Sequence, residues 1–271
     1  MSARSAVSTR SCSISDDPRP NIAGDFDYEA GGIGYAVQRR TDPRIATHVH
    51  AALGSARTVV NIGAGAGSYE PVGREVTAVE PSPAMREQRP DYLTEAIDAA
   101  AEALPFPNDC FDAAMATITV HQWRDLDQGL REMRRVSRGP VVILTFDGDV
   151  LRDFWLAEYA PELIAAERAR YPAIAHLQEV LGGTSTVLEI PIPLDCVDGF
   201  GEAFFGRPES FLDDRVRRAQ SGWGFVDSRD AARSVDLLRA ELASGEWDRK
   251  YGALRTAPEY HGSLRLVVAE P

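Results

Sequence analysis

Apolar residues along this chain fall into short continuous runs, separated by stretches with helical spacing. Thr58–Ile62, Glu75–Val79, 111–118 and 140–146 read as buried strands, and 96–99 as a weak one. Between them the period changes. Ile45, Val49 and Leu53 follow the capping pair Asp42–Pro43, and Gly54 stops the run. Ser82 with Pro83 opens a short helix, and Leu126, Leu130, Met133 and Val136 mark a helix over 125–137. A very short helix is expected after the glycines at 63–67. Strands alternating with helix-sized segments predict parallel βαβ units, hence an α/β doubly wound sheet. Beyond 146 the pattern changes. Residues 150–170 are helical and aromatic-rich, and 187–192 reads as a strand. Residues 195–257 are mostly helical, and 263–269 forms a closing strand. The last two strands flank a long excursion, which predicts an antiparallel edge hairpin with a cap between its strands.

Composition narrows the function classes. The chain has 271 residues, is 44% hydrophobic and carries 41 acidic against 29 basic residues, for a net charge of −12. That core supply suits one α/β domain with an insertion. The acidic balance disfavours a nucleic-acid partner. No apolar run approaches the roughly 18 residues of a membrane span. Cys12, Cys110 and Cys196 lie too far apart for a zinc site or a disulfide scaffold. Residues 1–24 are rich in Ser and Arg and have no apolar core of the signal-peptide kind, so a solvated tail and a cytoplasmic location are expected. Residues 25–55 are expected to form a helical flap. Asp147 and Asp149 read as turn formers, so no metal is expected.

The candidate chemistry lies at Gly63, Gly65 and Gly67, at the carboxyl end of the first strand. Open α/β sheets bind ligands there, and glycine lets backbone approach a ligand without a Cβ clash. Glu80 ends the next strand, where a carboxylate can accept both hydroxyl protons of a ribose. Dinucleotide sites prefer G-x-G-x-x-G/A, but Ser68 stands at the last position. A ribose-bearing ligand without pyrophosphate, S-adenosylmethionine (SAM), fits better.

The runs VVNIGAGAGSYEP, VTAVEPSPAM, AEALPFPNDCFDAAMATITVHQW and LREMRRVSRGPVVILTF resemble the class I SAM-dependent methyltransferases of the type 11 (UbiE-like) group, over about residues 57–146. The resemblance implies a Rossmann-like seven-stranded sheet with its last strand antiparallel. The SAM-binding domain would then span 56–194 and 258–271, with a helical cap at 195–257. It assigns Gly63, Ala64 and Gly65 to the loop under the methionine and ribose, and Glu80 to the ribose. Ala101 and Glu102 would flank adenine, and Thr117 to His121 would line the cofactor and face the substrate. Tyr28 and Tyr35 would belong to the flap over the cofactor. Two positions depart from the family pattern: Asn61 replaces an acid and Ala100 replaces an Asp.

Methyl transfer needs an aligned nucleophile and a base for its proton. His121 is the candidate base, with Glu158 and Glu167 as alternatives. Trp155, Tyr159 and Trp223 are candidate walls of an apolar substrate pocket. The expected activity is methyl transfer from SAM to an O, N or C nucleophile of a small, partly apolar molecule, in secondary metabolism. One rival is an NAD(P)-dependent oxidoreductase, which needs a Tyr–Lys pair in a chain whose only lysine is Lys250. The other is a non-catalytic SAM-binding module.

Overall fold

The computed structural model describes residues 38–271. The expected tail, Tyr28, Tyr35 and most of the flap lie outside the described residues. Helix α1 (Pro43–Ala52) opens the description. Asp42 caps it by accepting from the Arg44 backbone N–H at 3.0 Å. Strands β1 (Thr58–Ile62), β2 (Glu75–Val79), β3 (Ala113–Thr117) and β4 (Val141–Phe146) are joined by parallel pairings. Strand β5 (Thr184–Glu189) and the final strand, β8 (Leu264–Glu270), complete the sheet in the order β2-β1-β3-β4-β8-β5. β8 is antiparallel to both β4 and β5, so the expected edge hairpin is present. A second, two-stranded sheet joins β6 (Ile192–Pro193) to β7 (Glu259–Tyr260).

Among the described residues the sheet has six strands where seven were expected. Segment 96–99 contributes only an isolated parallel bridge from Ile97 to Val79. Two backbone bonds hold it, Ile97 N to Ala78 O and Glu80 N to Ile97 O. The expected helix after the first glycines is also absent. Residues 63–74 form turns, because Gly63, Gly65, Gly67 and Gly73 all take positive φ and Pro71 lacks an N–H. The strand expected at 187–192 ends at Glu189, just before Ile190 and Pro191.

Strand alternation divides the core between two faces. Val59, Val142, Leu144 and Leu266 belong to one apolar cluster, and Val60, Val141, Ile143 and Val267 to the other. On the second face pack α3 (Leu126–Val136) and, farther along the chain, a helix at Ile174–Leu181. α3 buries Leu130, Met133 and Val136 there, with Asp125 as its cap. Between β2 and α3 lies α2 (Pro83–Arg86), capped by Ser82. Three more helices follow β4 in chain order, α4 (Gly148–Leu151), α5 (Leu156–Tyr159) and α6 (Pro161–Arg170), and α7 is the helix at Ile174–Leu181. Beyond β6 come α8 (Asp214–Arg218), α9 (Ser228–Ser244) and α10 (Glu246–Tyr251), with short 3-10 turns between. Phe205, Phe211, Leu238 and Trp247 of this region share the first cluster with Ile45, Val49 and the sheet. Among the described residues no helix is long and apolar enough to cross a membrane.

Candidate active site

The chain runs from β1 out to β2, then returns to β3 on the other side of β1. The carboxyl ends of β1 and β3 therefore diverge and open a crevice. A cleft of about 880 Å³, counting its open mouth, occupies that place, a size usual for small-molecule sites. Gly63, Ala64 and Gly65 line it after β1, and Glu80 lines it after β2. Ala101, Glu102 and Thr117 line it as well.

The local geometry explains the glycines. Gly63 has φ +66°, and a Cβ there would lie 2.3 Å from the Thr119 Oγ1. Glu80 is buried, and its oxygens accept from the backbone N–H groups of Gly65 at 2.7 Å and Ser82 at 2.9 Å. Burial raises its pKa, while these bonds pull the other way. Each carboxylate oxygen has a second lone pair, so a fixed acceptor pair stands in the cleft wall. A ribose diol suits that pair.

Asn61 and Gly67 do not line the cleft. Asn61 is fully buried beneath it and donates to Glu70. Gly67, at φ +95°, abuts Leu93. Glu102 lines the cleft but also accepts from the N–H groups of Arg124 and Asp125, which fixes the loop before α3. Met85, Tyr69, Gln122 and Trp123 complete the walls. Sequence reasoning did not single these out; Trp123 had the strongest signal, as an aromatic residue in the loop after β3. Two non-glycine wall residues, Tyr69 and Ile118, take φ +64° and +53°. Such strain costs ~1–3 kcal/mol per residue and clusters at functional sites.

A second cavity adjoins the cleft, and Arg39, Ile118 and Gln122 line both. His121 lines the second one. Its ring meets Tyr171 edge-on at 4.8 Å, Tyr171 lies 5.2 Å from Phe146, and Phe146 lies 5.3 Å from Phe200. Four rings thus form one wall. Burial, together with the Arg170 and Arg39 guanidinium groups, holds the His121 pKa well below its usual value. Its Nδ1 is buried without a hydrogen-bond partner. Glu167 lines the cavity and bonds to Tyr171, whereas Glu158 pairs with Lys250 and Tyr251.

The three aromatic residues expected to line a substrate pocket lie elsewhere. Trp155 and Tyr159 are core residues. The Trp155 Nε1–H donates to the Phe205 carbonyl, and its ring contacts Tyr159, Phe211 and Trp247. The Tyr159 hydroxyl donates to Glu241. Helical spacing turned both toward the cap interior instead of the cavity. Trp223 is half-buried beside the same cluster, just past the cavity-lining Ser221. Asp147 caps α4, bonding the Asp149 N–H. Lys250 is held by Glu158 and Glu241, in the cap rather than at the cleft, so the Tyr–Lys pair of the oxidoreductase reading is not assembled there.

Residues 60–143 match a family model described as a methyltransferase domain. A solved structure described as a putative methyltransferase from an antibiotic biosynthesis pathway of Anabaena variabilis is 30% identical. The match covers 86% of this chain and 98% of that one, with a TM-score of 0.79. The chain belongs to the class I SAM-dependent methyltransferases of the UbiE-like type. SAM is the cofactor of this family, and the glycine cradle and fixed Glu80 acceptors of this methyltransferase fit its ribose. A malonyl-[acyl-carrier protein] O-methyltransferase of Halorhodospira halophila is 30% identical over 131 residues, which is 43% of this chain and 44% of that protein. The ubiquinone/menaquinone biosynthesis C-methyltransferase of Hahella chejuensis is 44% identical over 54 residues, or 19% of this chain and 22% of that protein. The chain thus spans less than half the length of these curated relatives.

Proposed function

We propose that this methyltransferase moves the methyl group of SAM to an O, N or C nucleophile of a small, partly apolar acceptor seated in the second cavity. The observation that carries this reading is the shared wall. Arg39, Ile118 and Gln122 line both the glycine-loop cleft and the aromatic cavity, so ligands in the two would meet there. SAM supplies a methyl group on a sulfonium, open to in-line displacement. The protein's part is to align and to exclude water. Glu80 and the Gly63–Gly65 backbone hold the cofactor. Ile118 and the Tyr171–Phe146–Phe200 rings orient an apolar acceptor.

His121 takes the acceptor's proton. Its depressed pKa keeps the ring neutral near pH 7, and thus able to accept. The Gln122 amide nitrogen stands 3.3 Å from the His121 Nε2, and an N–H facing that atom places the ring's lone pair on Nε2, the nitrogen that takes the proton. Arg39, the cation on this wall, is met by Asp198 at 2.6 Å. That pairing favours an acceptor without net negative charge. The antibiotic-pathway description of the Anabaena variabilis relative supports a role in secondary metabolism.

Isothermal calorimetry with SAM, S-adenosylhomocysteine and NADH tests the cofactor. Mass spectrometry with methyl-labelled SAM and a small-molecule library tests transfer. Failure to bind either SAM or S-adenosylhomocysteine would sink the reading. Tight SAM binding with no labelled product from any acceptor would favour the non-catalytic module.

A further inference from the structure

The sequence leaves β1 without the acid that the family usually carries at position 61, and a buried carboxylate stands next to that position. The Asn61 Nδ2 donates to the Glu70 Oε1 at 3.0 Å. Glu70 also pairs with Arg89 at 3.0 Å, and both side chains are almost fully buried, at 2% and 4% exposure. Arg89 continues the chain of contacts, donating from Nη1 to the Gly65 carbonyl at 3.4 Å and from Nη2 to the Thr94 carbonyl at 2.8 Å. The other backbone polar group of Gly65, its N–H, is held by Glu80. Gly65 is therefore gripped on both sides, by Glu80 directly and by Glu70 through Arg89. The loop also sits tightly on this group: a Cβ on Gly67 would lie 3.3 Å from the Arg89 Nη1.

The orientation of Asn61 follows from Glu70. An acceptor oxygen at 3.0 Å turns the amide nitrogen toward itself, which leaves Oδ1 facing away, buried and without a partner. Asn61 does not line the cleft, so its amide serves to hold the Glu70 carboxylate.

We infer that Glu70 is the relocated acid of the glycine loop, a positioning residue that holds Gly65 in the shape that binds SAM. The carboxylate has moved from the strand to the loop, and Asn61 and Arg89 hold it in place. Glu70 itself does not line the cleft, so it acts through Arg89 and Gly65. The inference rests on the reading of the cleft as the SAM site.

The test compares wild type, E70Q and the exchange variant N61D/E70Q, which returns the carboxylate to position 61 and keeps the charge of the group. Calorimetry gives the Kd for SAM, steady-state kinetics separate KM for SAM from kcat, and thermal melts report folding. E70Q should weaken SAM binding by about tenfold or more. It should raise KM for SAM while leaving kcat at saturating SAM and KM for the acceptor unchanged. N61D/E70Q should recover affinity to within about threefold of wild type. A purely structural role would lower the melting temperature of E70Q without changing its Kd well below the melt, and would overturn the inference. So would an exchange variant as stable as wild type but as weak in SAM binding as E70Q. If E70Q does not fold, the exchange variant, with its charge restored, decides alone. Wild type that fails to bind SAM would overturn the site assignment itself, an outcome distinct from either of these.

Discussion

The Glu80 carboxylate accepts the backbone N–H of Gly65 at 2.7 Å, which locks the acid at the end of β2 to the loop at the end of β1. One residue thereby holds the cradle and presents acceptors to the cleft. Glu80→Ala removes both. SAM binding is expected to weaken by ~1–3 kcal/mol, the range for a hydrogen bond to a charged group or a stranded buried partner. Calorimetry measures this directly, and unchanged affinity would mean that the ribose binds elsewhere.

His121 gives two pH signatures. Replacing a general base typically lowers the rate ~10²–10⁴-fold, so His121→Ala should reduce kcat by that order while leaving SAM affinity intact. In the wild type, burial and the two nearby guanidinium groups depress the imidazole pKa. The acidic limb of the kcat profile should therefore fall below about pH 6.5, the ordinary histidine value. The stability sign follows from the same shift. Below about pH 6.5 the unfolded chain binds a proton that the folded ring refuses, so this group's contribution is lost as pH falls toward the folded pKa. His121→Gln should flatten that part of the acid unfolding curve. A profile unchanged in either respect would remove His121 from the mechanism.

Glu202 behaves in the opposite sense. It lines the second cavity, and its carboxylate accepts from the N–H and hydroxyl of Ser263, which ties the cap to the start of β8. Burial pushes its pKa up to about 7 despite those bonds. The folded state thus holds a proton that the unfolded chain releases above about 4.3. That stabilisation is present at low pH and disappears as pH rises through about 7. Glu202→Gln keeps an acceptor oxygen and does not titrate. The melting temperature of wild type relative to this variant should therefore decline between about pH 5 and about pH 8. A constant difference would show an ordinary carboxyl.

Sequence patterning located the frame of this site well. β1 and β2 appear at the residues their apolar runs predict, and Asp42, Ser82 and Asp125 all cap the helices they were expected to start. Gly63, Gly65 and Glu80 were legible as cleft-lining positions because φ and cleft position constrain residue type there, whereas Gly67 lies outside the cleft. Trp155 and Tyr159 were misplaced because helical spacing marks a buried face without saying whether it meets protein or ligand. The cavity walls were illegible for another reason. Arg39, His121, Tyr171 and Phe200 come from four distant segments, and only tertiary packing brings them together. The reduction of 96–99 to one bridge follows from its brevity, with polar Glu95 and Asp98 beside Ile97. The role of Glu70 was hidden because it depends on Arg89, which is distant in sequence.

Gly129 offers a test of the Ala101 side of the cleft in which two effects compete. It lies inside α3, where alanine would gain up to ~1 kcal/mol of helix propensity. Its Cβ, however, would sit 2.5 Å from the Trp123 Cε3 and 3.3 Å from the Ala101 Cβ. The indole is rigid and cannot absorb that overlap by a small torsion. Overpacking of this kind costs ~1–3 kcal/mol, so it should outweigh the propensity gain. Trp123 stands between α3 and the cleft and lines the cleft beside Ala101. Pushed away from the helix, the ring moves into the ligand's space. Gly129→Ala should therefore lower the melting temperature slightly and weaken SAM binding by about tenfold. Trp123→Ala in the same background should relieve the overlap and recover stability. If Gly129→Ala instead raises the melting temperature and leaves SAM affinity unchanged, propensity has won and Trp123 does not press on the cofactor.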